Sequence, residues 1–202
     1  NATVDVVGSS LTVTPASNYY GSISVGVAVY DGYLSDSTGF WLNVTPVNDA
    51  PTLDNLVNVS VAEDNAYTLA LSGADVDGDA LTFQANVDGN GSVSVEGSTL
   101  TVEPAQNFNG DLTVSVIASD GQASGSGSFT LTVTPVNDAP VISGLDNQVI
   151  DEDTSLTFNI TASDIDGDNL TYSATNGDAT ISVNGSSLTI TPPANYNGSD
   201  DV

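Results

Sequence analysis

The chain has 202 residues and 26 Asp plus Glu, with no Lys, Arg, His or Cys, so its formal charge is -26. That balance excludes a nucleic-acid partner, which would meet no cationic side chain. It also excludes thiol chemistry, imidazole-ligated zinc, disulfides, and base catalysis by His or Lys.

Hydrophobic content is 39%, and so lopsided a charge usually marks disorder. The pattern argues otherwise. Val, Ile, Leu, Thr and Tyr alternate with small polar residues along the whole chain, as half-buried strands require. The acids are unusual too: 22 are Asp and 4 are Glu. Short carboxylates in turns suit hard cations bound through oxygen.

In chain order, residues 1–49 lead into a linker, Val47-Asn48-Asp49-Ala50-Pro51. Seven strands are then predicted, near 54–61, 66–72, 80–85, 92–95, 99–103, 112–118 and 129–135. Tyr67, Leu69 and Leu71 share one face, as do Leu112, Val114 and Val116, and Phe129, Leu131 and Val133. The linker returns as Val136-Asn137-Asp138-Ala139-Pro140, displaced by 137 − 48 = 89 residues. Asp75-Val76-Asp77-Gly78-Asp79 returns as Asp164-Ile165-Asp166-Gly167-Asp168, and Glu63-Asp64 as Glu152-Asp153, at the same spacing. An Asn-aromatic-x-Gly turn occurs three times, at 18–21, 107–110 and 195–198. The chain is therefore a tandem repeat with a period of about 89 residues.

The fold class is all-β: tandem seven-stranded antiparallel Greek-key sandwiches. Residues 1–49 read as the C-terminal part of one module, 50–138 as a complete module and 139–202 as the N-terminal part of a third. Two explanations of the partial modules stand open: a window from a longer array, or a subunit completed by strands of identical chains. No apolar run is long enough to cross a membrane.

Counting strand directions gathers the acids at module junctions. Asn48, Asp49, Asp75, Asp77, Asp79 and Asp120 fall at the first. Glu63, Asp64, Asn137, Asp138, Asp164, Asp166 and Asp168 fall at the second, and Glu152 and Asp153 repeat the Glu63-Asp64 pair one module on. Carboxylates this close repel unless a cation joins them. Ca²⁺, with six to eight oxygen ligands, fits better than Mg²⁺.

These motifs resemble the cadherin repeat in its bacterial form, found in long repetitive surface and secreted proteins. Ala74-Asp75-Val76-Asp77-Gly78-Asp79 is similar to its Asp-x-Asp segment. Ala118-Ser119-Asp120-Gly121 and Val136-Asn137-Asp138-Ala139-Pro140 are similar to its Ala-x-Asp-x-Gly segment and its linker. The resemblance implies Ca²⁺ between successive modules. It names Asn48, Asp49, Asp75 and Asp77 as ligands at the first junction, and Glu63, Asn137, Asp138, Asp164 and Asp166 at the second. The chain departs where the family carries Asp-Arg-Glu, reading Asn107-Phe108-Asn109-Gly110 there, and Pro46 and Pro135 stand where an acid is expected. Fewer ligands imply one or two ions per junction.

Paired carboxylates also occur in glycosidases, but here they recur in register in each module, so catalysis is not expected. Tyr30 and Trp41 replace Ser119 and Thr130 of the complete module. If their strands form a hairpin, the two rings lie side by side and offer a platform for a glycan or a neighbouring chain. The expected function is a Ca²⁺-stiffened stalk or fibre, secreted or on the cell surface. A carbohydrate-binding adhesion module and a filament with strand exchange between chains are the alternatives.

Overall fold

The computed structural model describes residues 1–175 and 178–199; 200–202, the end of the third predicted module, lie outside them. The chain divides into two compact units, Asn1–Thr134 and Pro135–Val202.

The first unit opens with two antiparallel hairpins. β1 (Ala2–Val7) pairs with β2 (Ser10–Pro15), and β3 (Gly21–Tyr30) with β4 (Ser35–Val44). After the linker come β5 (Thr52–Leu53), β6 (Val59–Ala62), β7 (Tyr67–Ala70), β8 (Gly73–Ala74), β9 (Thr82–Val87), β10 (Gly91–Glu96), β11 (Thr99–Pro104), β12 (Gly110–Ser119) and β13 (Ser124–Thr134). One sheet runs β10-β11-β7, and β5 pairs with β8 just beyond β7; the facing sheet runs β6-β13-β12-β9. The chain changes sheet between β9 and β10 and again between β11 and β12, which is the Greek-key crossing of a sandwich.

Alternation builds the core. Every second residue of β12 (Leu112, Val114, Val116, Ala118) and of the end of β13 (Phe129, Leu131, Val133) is buried, and Leu100 and Val102 of β11 meet them from the other sheet. Tyr67 packs edge-on to Phe129, with ring centroids 6.1 Å apart.

Two expectations need correction. The predicted strand 54–61 is not one strand. Only its second part forms, as β6; 54–58 carry no strand and cross from β5, which pairs with β8, to β6, which pairs with β13. The reason lies in β13. A Cβ at Gly125 would fall 2.1 Å from the Pro51 carbonyl oxygen, and one at Gly127 would fall 3.2 Å from Leu56. These glycines let the crossing segment lie on the sheet. Asn58 covers the gap, its Oδ1 accepting the Thr130 amide at 2.8 Å. The sandwich is also not wholly antiparallel, because β6 runs parallel to β13. The crossing brings it alongside β13 without reversing its direction.

The second unit repeats the first part of this plan. β14 (Val141–Ser143) pairs with β16 (Thr161–Ser163), as β5 does with β8. β15 (Leu156–Asn159), β18 (Ser187–Thr191) and β17 (Thr180–Asn184) form a three-stranded sheet in the order of β7, β11 and β10. Among the described residues of this unit, Leu188 of β18 and Ile160, just after β15, are buried.

Leu131 is fully buried in the hydrophobic core of the first unit. Leu131→Ala is expected to destabilise the first unit by about 2–5 kcal/mol through lost burial and a residual cavity, read as a lower urea midpoint.

Candidate functional site: the acidic linker cradle

The Asp-x-Asp-Gly-Asp loops are built by their own first residue. Asp75 Oδ1 accepts the amide of Asp77 at 2.8 Å and that of Asp79 at 3.4 Å, while its carbonyl accepts Gly78 N at 3.3 Å. Gly78 sits at φ +83°, which the turn needs and side chains disfavour. In the second unit Asp164 does the same for Asp166 at 3.0 Å and Asp168 at 3.3 Å. The first carboxylate of each loop is thus a turn-former with one oxygen.

The linker then docks on its loop. The Asp49 amide donates to Asp77 Oδ2 at 2.8 Å, and within the second unit the Asp138 amide donates to Asp166 Oδ2 at 2.7 Å. Asn48 Nδ2 donates to Asp120 Oδ2 at 2.8 Å. The structure therefore brings Asn48, Asp49, Asp75, Asp77 and Asp120 of the first predicted cluster together. The Asp79 side chain is exposed at the loop's rim and joins through its backbone. Two N–H groups, of Gln122 and Ala123, reach Asp120 Oδ1 at 2.6 Å each. The Ala123 amide, then Asn48 and the Gln122 amide, hold the Asp120 carboxyl below its usual range.

One oxygen stands apart. Asp75 Oδ2 is buried with no hydrogen-bond partner. A buried carboxylate oxygen without a donor is costly. It lies in the loop that also carries the Asp77 carboxylate, and carboxylate oxygens are the hard donors that Ca²⁺ takes. The residues present fit such an ion.

Other predicted ligands have different work. Asp64 and Asp153 both adopt left-handed backbone, at φ 60°. Asp64 Oδ1 accepts the Asn107 amide and Asp153 Oδ1 the Asn195 amide, each at 2.9 Å. These carboxylates pin the Asn-aromatic-x-Gly corners, where Asn107 and Asn195 are themselves left-handed. The parallel offsets, 107 − 64 = 43 and 195 − 153 = 42, were the available sign of this pairing. Glu63, at the end of β6, is 3% exposed, whereas Glu152 is exposed. Asn137 Nδ2 donates to the Asp138 carbonyl at 2.9 Å.

The aromatic pair does not form a platform. Tyr30 and Trp41 do lie on one hairpin and are exposed, at 67% and 73%. The ladder sets Tyr30 opposite Ser35 and Trp41 opposite Ser24. Six residues of strand therefore separate the rings along one face, about 20 Å. A ladder paired from the turn outward puts a residue at the turn and one near the far end apart by construction.

Asp64→Ala should lower stability by about 1 kcal/mol through loss of the corner hydrogen bond and leave any response of the chain to calcium unchanged. Urea unfolding with and without calcium measures both.

No curated protein matches the chain by sequence. Among solved structures it is similar to the extracellular cadherin domains 1–5 of protocadherin gamma B2, at 16% identity, a TM-score of 0.47, and coverage of 96% of this chain and 44% of that one. It is similar to domains 4–9 of the surface layer protein SbsC, at 20% identity and a TM-score of 0.36, covering 93% of this chain and 33% of that one. It is also similar to the endo-fucoidan hydrolase MfFcnA4 of glycoside hydrolase family 107, at 17% identity and a TM-score of 0.39, with 96% and 33% covered. The chain thus spans about a third of the length of the first structures it matches. The family model described as the bacterial Ig domain matches residues 48–134 and again 137–202. With all-β sandwich strands, a repeat near 89 residues and two matched segments that together cover most of its length, this chain belongs to the bacterial Ig domain family.

Proposed function

We propose that the chain is a calcium-stabilised structural repeat of a secreted or surface-displayed protein, which sets spacing and stiffness and carries out no catalysis. The observation that carries this reading is the buried, unpartnered Asp75 Oδ2 beside the docked linker. Asp75 and Asp77 would hold the ion, with carbonyl oxygens of the linker. A bound cation would supply charge compensation to a chain that has no cationic side chain. The linker and the Asp-x-Asp loop would then be tied by one ion, limiting the linker's freedom. Ala50-Pro51 adds stiffness, since proline restricts its own φ and the residue before it.

Several features support an extracellular setting. Millimolar calcium matches sites of modest affinity, and the membership in bacterial Ig domains accords with tandem surface architecture. No helix among the described residues is long and apolar enough to cross a membrane. Neighbouring modules or identical chains are the partners this reading anticipates. A glycan partner finds less support, because Tyr30 and Trp41 stand apart along their hairpin.

Calcium at a hundredfold excess over its dissociation constant should stabilise the folded chain by about 2.7 kcal/mol, read as a rise in Tm that magnesium does not reproduce. Asp75→Asn keeps the oxygen that forms the loop and removes the charge, so it should abolish most of that rise. A wild-type Tm indifferent to millimolar calcium would sink the reading.

A mechanical prediction follows from the same linkage. Small-angle scattering should show a larger and better-defined maximum dimension with calcium than with chelator. An identical profile in both would argue against a stiffening role.

A further inference from the structure

The linker side of the cradle is tied to its module by groups that need no ion. Asn48 uses its whole side-chain amide. Nδ2 donates to Asp120 Oδ2 at 2.8 Å and to the Asp49 carbonyl at 3.0 Å, while Oδ1 accepts Gln122 Nε2 at 3.1 Å. The next residue continues the seam through Asp49 N and Asp77 Oδ2, at 2.8 Å. Two residues on, the Pro51 carbonyl lies so close over Gly125 that no side chain fits there. Residues 48–51 are thus seated on the turn 120–125 and the loop 75–79.

Asp120 differs from Asp75 in the one respect that matters for a ligand. Its carboxylate accepts three N–H groups, from Gln122, Ala123 and Asn48. Asp75 keeps a buried oxygen without a donor. The first arrangement is complete without a cation and the second is not.

We infer that Asn48, Asp120 and Gln122 form a latch that holds the linker on the module it leads into whether or not a cation is bound. Asp120 is a positioning residue of this latch rather than a metal ligand. The division between ligand and latch rests on the calcium reading above, whereas the latch itself does not.

Amide exchange by NMR on the full 202-residue chain, in chelator and in millimolar calcium, tests this alongside calorimetric titration with calcium. The Asp49 amide should be protected in chelator. Asn48→Ala should speed its exchange about tenfold, the equivalent of about 1.4 kcal/mol, with the amides of β12 unchanged as the folding control. Asp120→Asn keeps an acceptor for the Gln122 and Ala123 amides and removes the charge. It should hold calcium affinity within about threefold of wild type, against a loss of tenfold or more for Asp75→Asn. Protection of Asp49 only when calcium is present would overturn the latch. So would a loss of affinity in Asp120→Asn as large as that in Asp75→Asn. Protection in chelator from a chain that takes up no calcium would support the latch and dismiss the calcium reading, so the two fail separately.

Discussion

The constraint from which the rest follows is the absence of any cationic side chain among 26 acids. Each carboxylate must find a neutral donor, face water, or be met by a cation from outside. The donors at hand are backbone amides, hydroxyls and side-chain amides. Asp54 takes the Ser72 hydroxyl, Asp88 the Thr113 amide and Asp111 the Thr132 hydroxyl. Asp64 and Asp153 each take the amide of a left-handed Asn. The acids are the pins of the turns as much as the source of repulsion.

Against that background Asp75 is an exception with a location. Its loop, the linker and the turn at Asp120 are drawn together by hydrogen bonds, and only then is one oxygen left without a partner. On the proposed reading, an external cation would answer this need. The cradle is thereby divided into a part complete in itself, around Asp120, and a part that asks for charge, around Asp75.

The two glycines at the start of β13 link the sandwich to the cradle. They let the chain after Pro51 lie on the sheet, cross from one sheet to the other at 54–58 and resume as β6. The same close approach seats the linker beside the turn that carries Asp120 and Gln122. Core packing below and linker docking above therefore share one stretch of backbone.

The period, the all-β class and the burial of Leu112, Val114, Leu131 and their neighbours were legible in the sequence, because alternation and repetition are local patterns that survive translation along the chain. The gathering of Asn48, Asp49, Asp75, Asp77 and Asp120 followed from counting strand directions, a coarse property that a few residues of error leave intact. The roles within that cluster were not legible. Which oxygen of Asp75 is spent on its own loop, and which amides enclose Asp120, depend on tenths of an ångström set by partners up to 74 residues away, as with Gln122 and Asn48. The break in the first strand and the separation of Tyr30 from Trp41 belong to the tertiary structure for the same reason. Register and sheet-switching arise when one segment meets another, and residues far apart in the chain carry no mark of the contact until it is made.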